Sequence, residues 1–437
     1  MYFHKSKLYF RGWDLSGYCQ CNLNRENKAA MANYLQRILH KTKSNTLIRK
    51  DLGSFLEFGV GYALMMIFNL LVVRGVNAHL SKGEMGRFSF ISSLIMLLLP
   101  IVTFSAQLAY IRFHNNHTVS GRLRRFLMPF FWGASLGLVI LIYCMTRSYW
   151  AILFAFMPLF IEKTFLLRCQ LCITRLNILQ IAGQLVVLAG LLYGSRYIDF
   201  NANIVLGLYG VGYLLALIFP ARKLTDDAVD KCDVIRYLWP SVLSALCSAF
   251  LVNCAVMITK YYFNDVQVGA MGVAVRLTLS FNYIFGFFMM FYPLIYMREA
   301  AKNNFKLIIV YRRVILLVAL VIFAGMILCS KYIYLILGAG KYLETIMLFV
   351  ILAGVVLFNF IGDITCLYFD YQIKTWKNML MKLSSCFIVL AGAFAVPRFG
   401  IYYIALLLLA ATAIPALTGM YIALYQERRH RKKIGNL

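Results

Sequence analysis

The segment Val268–Phe291, VGAMGVAVRLTLSFNYIFGFFMMF, holds one charged residue, Arg276, in an otherwise uncharged run. The run is long enough to cross a bilayer, whose hydrocarbon core asks for about 20 apolar residues of helix. An ionisable group at the centre of a bilayer costs at least about 2.5–3.5 kcal/mol, so it faces a cavity or a partner. Arg276 lies roughly 12 Å into its helix at 1.5 Å per residue, too deep for easy reach to either interface. The reading that follows is a water-filled cavity in which Arg276 meets an anionic substrate. The bland alternative is a structural pair with a carboxylate on another helix.

Composition extends the membrane reading to the whole chain. Of 437 residues 62% are hydrophobic and only 14% charged, too little charge to cover soluble domains of that size. Twelve apolar stretches can be drawn, at 54–74, 88–110, 126–146, 150–167, 178–195, 202–221, 238–260, 268–296, 313–337, 342–363, 379–396 and 400–424. The expected fold is all-α: a polytopic membrane protein of about twelve transmembrane helices in two six-helix bundles around a central cavity. The expected divisions are a basic cytoplasmic N-terminal segment (1–50), bundles at 51–221 and 238–424, a cytoplasmic connector (222–237) and a basic tail (425–437).

The net charge of +27 is a topology signal rather than a nucleic-acid footprint. Most of the 44 Lys and Arg fall on segments that share a side with the N-terminus, which places both termini in the cytoplasm. That basic face suits anionic membrane lipids, and no nucleic-acid partner is expected. Tyr197, Tyr261, Tyr262, Tyr332, Tyr334, Tyr342, Tyr402 and Tyr403 fall at the opposite helix ends, as an interfacial belt would. No cleavable signal peptide is visible, and translation from Met31 is an alternative start. The eleven cysteines are scattered and read as reduced core residues. Cys169 and Cys172 lack a second ligand pair, so neither a metal site nor a cofactor is expected.

The two sixes carry an internal repeat. With Gly86 aligned to Gly269, a cation precedes each loop (Arg74 and Lys260), a short polar turn follows (SKGEMG and NDVQVG), and a long apolar helix begins. Repeats of six spans keep the same orientation, with a binding site expected between them. Other charges within the spans are Glu162 and Lys163, neighbours that point about 100° apart and need separate partners. Lys163 is a candidate substrate contact. If transport is coupled to protons or sodium, Glu162, Asp363 and Glu57 are the candidate carriers. Pro100 and Pro158 are expected to kink their helices. The external acids Glu84, Asp199, Asp265 and Glu344 stand apart in sequence, and no nucleophile elbow, phosphate loop or paired acid and base is present, so an enzyme is not expected.

The segment VIRYLWPSVLSALCSAFLVNCAVMITKYYFNDVQVGAMGVAVRLTLSFNYIFGFFMMFYPLIY, with RGVNAHLSKGEMGRFSF in the first half, resembles the Wzx-type polysaccharide flippases of the multidrug/oligosaccharidyl-lipid/polysaccharide exporter superfamily. The likeness runs from about residue 45 onward and rests on order and topology more than on single residues. It implies a V of two bundles around a cationic cavity that receives a lipid-linked oligosaccharide. Arg276 matches the cationic position after the second-half turn, and Arg74 the arginine before the first-half turn; Lys260 and Lys163 complete the candidate substrate-binding set. The turn NDVQVGAMG lacks the aromatic usual after its glycine. The resemblance also implies a bacterial inner-membrane location, and a polysaccharide polymerase and chain-length regulator as partners. Rival readings are an ion-coupled drug or small-molecule antiporter of the same superfamily and a major-facilitator carrier, whose basic loop SGRLRRF resembles. A membrane polysaccharide polymerase or acyltransferase is the rival of a different class.

Overall fold

The computed structural model describes residues 45–113, 119–170, 172–218, 224, 225, 227, 230–301, 305–371 and 375–435, with most of the side chains between 59 and 429. Among these, the ordered elements are helices joined by short turns, with no strand. The first half comprises α1 (Asn45–His79), α2 (Lys82–Val102), the short α3 (Gln107–Phe113), α4 (Gly121–Thr146), α5 (Phe156–Cys169), α6 (Ile173–Gly194) and α7 (Ala202–Tyr213). The second comprises α8 (Lys231–Tyr262), α9 (Asp265–Ala301), α10 (Phe305–Leu328), the short α11 (Ser330–Ile336), α12 (Ile346–Tyr371), α13 (Thr375–Ala393), the single turn α14 (Val396–Phe399) and α15 (Ile401–Gly435).

Among the described residues ten segments are long and apolar enough to cross a membrane, and two shorter apolar helices, Ala202–Leu217 and Met379–Ala393, fall on the sixth and eleventh expected spans. The chain is a multi-pass, all-α membrane protein. The expected N-terminal surface helix, His114 and His117, and the question of Met31 fall outside the described residues.

The helices start where the sequence provides acceptors for their free N–H groups. Ser81 caps α2 by accepting from Glu84 N at 3.2 Å. The Ser-Lys-Gly-Glu spacing is that of a capping box, but the Glu84 carboxylate turns outward and accepts from Ala202 N at 2.7 Å, so it caps α7 instead. Asp230 caps α8, and the helix therefore begins at Lys231, inside the stretch expected to be connector. Within the spans five hydroxyls are satisfied on their own helix: Ser135, Thr259, Thr278, Ser280 and Thr412 each donate to the carbonyl four residues back. A bilayer offers no water for that purpose.

The prolines act differently from one another. Two residues after the α2 helix ends, Phe104 and Ser105 adopt positive φ (49° and 46°), and the chain breaks before α3, so the expected kink near Pro100 is a full interruption. Pro158 sits in the first turn of α5, a position at which a helix tolerates a missing N–H. The tyrosine belt is also split. Tyr197, Tyr261 and Tyr332 are exposed, whereas Tyr334 and Tyr342 are fully buried, with the Tyr334 hydroxyl donating to Thr345 O at 3.3 Å.

Between the halves the broadest contact is α2 against α9, flanked by α2 on α8 and α1 on α9. The crossing point is the aligned glycine pair. A Cβ at Gly86 would lie 1.9 Å from Asp265 O, and one at Gly269 would lie 2.4 Å from Lys82 O, so only glycine admits this approach. Each glycine meets the backbone four residues before the other, so the contact is reciprocal. Around it Lys82 pairs with Glu344 at 3.0 Å, Asn77 Nδ2 donates to Leu337 O at 3.0 Å, and Lys341 donates to Leu80 O. This is the end that the charge distribution assigns to the outside, and the two halves close on each other there.

Candidate binding cavity

Further along the α2–α9 seam the helices leave room for a cavity of about 500 Å³. Arg276 is the one cation among the described residues lining it, and no carboxylate lines it. Its polar lining comes from Ser89, Ser92 and Ser93 of α2, Asn69 of α1, Tyr209 and Tyr213 of α7, and Asn253 and Asn282 of the second half, set in a mainly apolar wall that includes Val73, Ile95, Met157, Leu206 and Val256. The serines arise from the helical spacing of SFISS, which turns Ser89, Ser92 and Ser93 to one side.

Arg276 is half-buried, and no ion pair to it occurs among the described residues. Its guanidinium carbon lies 4.3 Å from the centroid of the Phe88 ring, a cation–π contact that crosses from the second half to the first. Its Nη1 is buried without a hydrogen-bond partner. Among the described residues the arginine makes no carboxylate pair; it rests on a ring with Nη1 unpartnered.

A second compartment of about 280 Å³ adjoins the first, sharing Leu279, Asn282 and Gly286 as walls. It holds Asp363 of α12, exposed to the space, and Lys382 of α13, whose Nζ donates to Ser248 Oγ at 2.8 Å. Asp363 and Lys382 share the compartment without closing into an ion pair. Lys382 carries no motif and lies 106 positions from Arg276 in a basic span end, so sequence spacing gave no sign of it.

The remaining candidates sit elsewhere. Arg74 is exposed near the closed end, and Lys260 pairs with Asp265 at 2.5 Å there; neither lines the cavities. Glu162 is 1% exposed and is held away from the cavities by Arg124 Nε at 2.8 Å and the Tyr110 hydroxyl at 3.3 Å. Lys163, its neighbour, is half-buried on α5 and lines neither compartment. Glu57 lies on α1, its side chain outside the described residues. The second half repeats the Glu162 arrangement with other residues: Arg312 bonds Glu427 in bidentate fashion at 3.1 and 3.0 Å, and the Tyr296 hydroxyl donates to the same carboxylate at 3.1 Å. Both arginines come from arginine pairs, RRF in the first turns of α4 and RRV about two turns into α10.

No family model matches the sequence, and no curated protein does either. Solved structures do match. The chain is similar to the lipid II flippase MurJ in an inward closed conformation, with TM-score 0.62 and 14% identity over 85% of this chain and 87% of that chain. It is similar to a MATE protein in the straight conformation, with TM-score 0.59 and 11% identity over 87% of this chain and 96% of that one. An inward-facing multidrug resistance MATE family transporter of the MOP superfamily follows at TM-score 0.55 and 13% identity, covering 87% of this chain and 92% of that one. At these identities the likeness is one of fold, and the fold is that of these membrane proteins.

Proposed function

We propose that the protein is a flippase that moves a polyprenyl-pyrophosphate-linked oligosaccharide from the cytoplasmic to the external leaflet of a bacterial inner membrane, for surface polysaccharide synthesis. The observation that carries this reading is Arg276, an unpaired cation with a free buried donor in the wall of a membrane-depth cavity. A guanidinium offers a planar fork to phosphate oxygens, and its attraction to them grows as the surroundings become less polar. The serine, asparagine and tyrosine side chains of the same wall suit the hydroxyls of a sugar. The polyprenyl tail stays in the bilayer while the head passes between the bundles. Asp363 is the coupling candidate that lines the adjoining compartment, Glu162 being held by Arg124. Arg74 and Lys260, at the closed end, guide rather than hold the cargo in this scheme.

Deleting the gene in its native host tests the reading. Complete lipid-linked oligosaccharide should accumulate on the cytoplasmic face and clear on re-expression. Unchanged glycolipids, while the host is making its surface glycan, would remove the proposal. Asp363 also favours a second reading, an antiporter of organic cations, since a free carboxylate in a cavity suits a positive ligand. Purified protein that moved organic cations against a proton or sodium gradient would make that the better account.

A further inference from the structure

We infer that the first compartment contains an oxyanion site assembled from both halves of the protein: the Arg276 guanidinium of α9, lying on the Phe88 ring of α2, with the Ser89 hydroxyl as a second donor. The inference rests on the anionic-cargo reading of this cavity and names the residues and ligand group that it requires, a phosphate.

Among the described residues two buried donors on this seam lack partners, Arg276 Nη1 and Ser89 Oγ, and Ser89 is only 3% exposed. Buried polar atoms without partners are uncommon, because each carries a desolvation cost that nothing offsets until a ligand or water arrives. Their placement is specific. The Phe88 ring supports the guanidinium face at 4.3 Å and is itself stacked on Tyr209 of α7, with centroids 6.1 Å apart at 23°. A guanidinium lying on a ring directs its N–H groups sideways, in its own plane, and leaves that fork free for two oxygens. Ser89 follows Phe88 directly. Its Oγ would lie 2.1 Å from a Cβ at Gly272, so the hydroxyl occupies space that a glycine vacates. Gly272 precedes Arg276 by one helical turn and shares its face of α9. The two donors therefore belong to one strip of the seam, and among the described residues no carboxylate lines the compartment to repel an anion.

The site has a conformational consequence. Phe88 and Ser89 lie two and three residues beyond Gly86, and Arg276 lies seven beyond Gly269, so both parts hang from the glycine crossing that closes the outer end. Any motion that parts α2 from α9 there also draws the ring and hydroxyl away from the guanidinium. Phosphate is held while the outer end is closed and loosened as it opens. Phe88 is a positioning residue in this scheme, and Ser89 touches the ligand.

The test uses the full chain in lipid nanodiscs, titrated calorimetrically with inorganic pyrophosphate and, separately, with farnesyl pyrophosphate. Arg276→Ala should weaken both by more than about tenfold, the scale of a lost charge-assisted pair. Ser89→Ala and Phe88→Leu should each weaken both by about three- to tenfold, and Phe88→Leu should add little on top of Arg276→Ala. Ser89→Ala should keep or raise the melting temperature, because it deletes a buried hydroxyl without a partner. Phe88→Tyr, which keeps the ring, should bind as the parent does and guards against a folding defect in Phe88→Leu. Tighter binding of farnesyl pyrophosphate identifies a lipid-borne phosphate; equal binding identifies a water-soluble one; both keep the site. Parental affinity in Ser89→Ala and Phe88→Leu, with Arg276→Ala weakened, overturns the two-half site and leaves the anionic cavity standing. Parental affinity in Arg276→Ala overturns the anionic-cargo reading itself.

Discussion

Three aligned pairs along one strip of α2 and α9 differ from one another in an ordered way. At the closed end Gly86 faces Gly269, and each abuts the backbone of the other half. One turn inward the pair is Ser89 and Gly272, which interlock as hydroxyl and vacant space. A further turn inward it is Ser93 and Arg276, both on the cavity wall. The halves are alike where they must close on each other and unlike where a ligand would lie. A symmetric contact can be built from two copies of one solution, whereas an asymmetric cargo needs a cation on one side only. The buried clusters make the same point differently. Tyr110, Arg124 and Glu162 in the first half answer to Tyr296, Arg312 and Glu427 in the second, but the carboxylate comes from α5 in one and α15 in the other. The tyrosine and arginine are common to both clusters, while the acid comes from a different helix in each.

Breaking the outer pair should have the largest effect. Gly86→Val and Gly269→Val each drive a side chain into a backbone carbonyl, an overpacking worth about 3 kcal/mol or more. Both should lower the yield of monodisperse protein in detergent, while Gly133→Val, which faces open space, should behave as the parent. Next comes Glu427→Ala, which strands a buried arginine and should cost about 3–5 kcal/mol in a thermal melt. Glu162→Ala should cost less, because the Arg124 side chain is 25% exposed and can turn to water while that of Arg312 is 10% exposed. Equal losses would mean that the two clusters are interchangeable. Arg276→Ser makes the third pair identical; it should leave the melting temperature near the parent's, since no carboxylate partner is lost, and abolish transport. The smallest effect belongs to Glu344→Gln, which removes an exposed bridge to Lys82 and should shift stability by about 0.2–1 kcal/mol at most.

Much of this was legible in the sequence. The bilayer imposes length and hydrophobicity on every span, so the twelve apolar stretches map onto helices one by one. Gly86 and Gly269 could be aligned because a close crossing tolerates no other residue, and Arg276 stood out because its surroundings made it costly. Pairings were not legible. Arg312 and Glu427 are 115 residues apart, and Glu162 and Lys163, adjacent in the chain, diverge to different surroundings because a helix turns between them. Lys382 belongs to no motif, and only the packing of α13 on α8 brings it to Ser248. Arg74 and Lys260 drew attention through the repeat, yet the same repeat places them at the closing end rather than in the cavity.

The central claim is that Arg276 receives the anionic head of a lipid-linked oligosaccharide. Its most direct test is to complement a deletion strain with Arg276→Ala at matched membrane levels and assay lipid-linked oligosaccharide on each leaflet. The account predicts accumulation on the cytoplasmic face equal to that of the empty vector, with partial clearance by Arg276→Lys. Clearance by Arg276→Ala at the parental rate would contradict it.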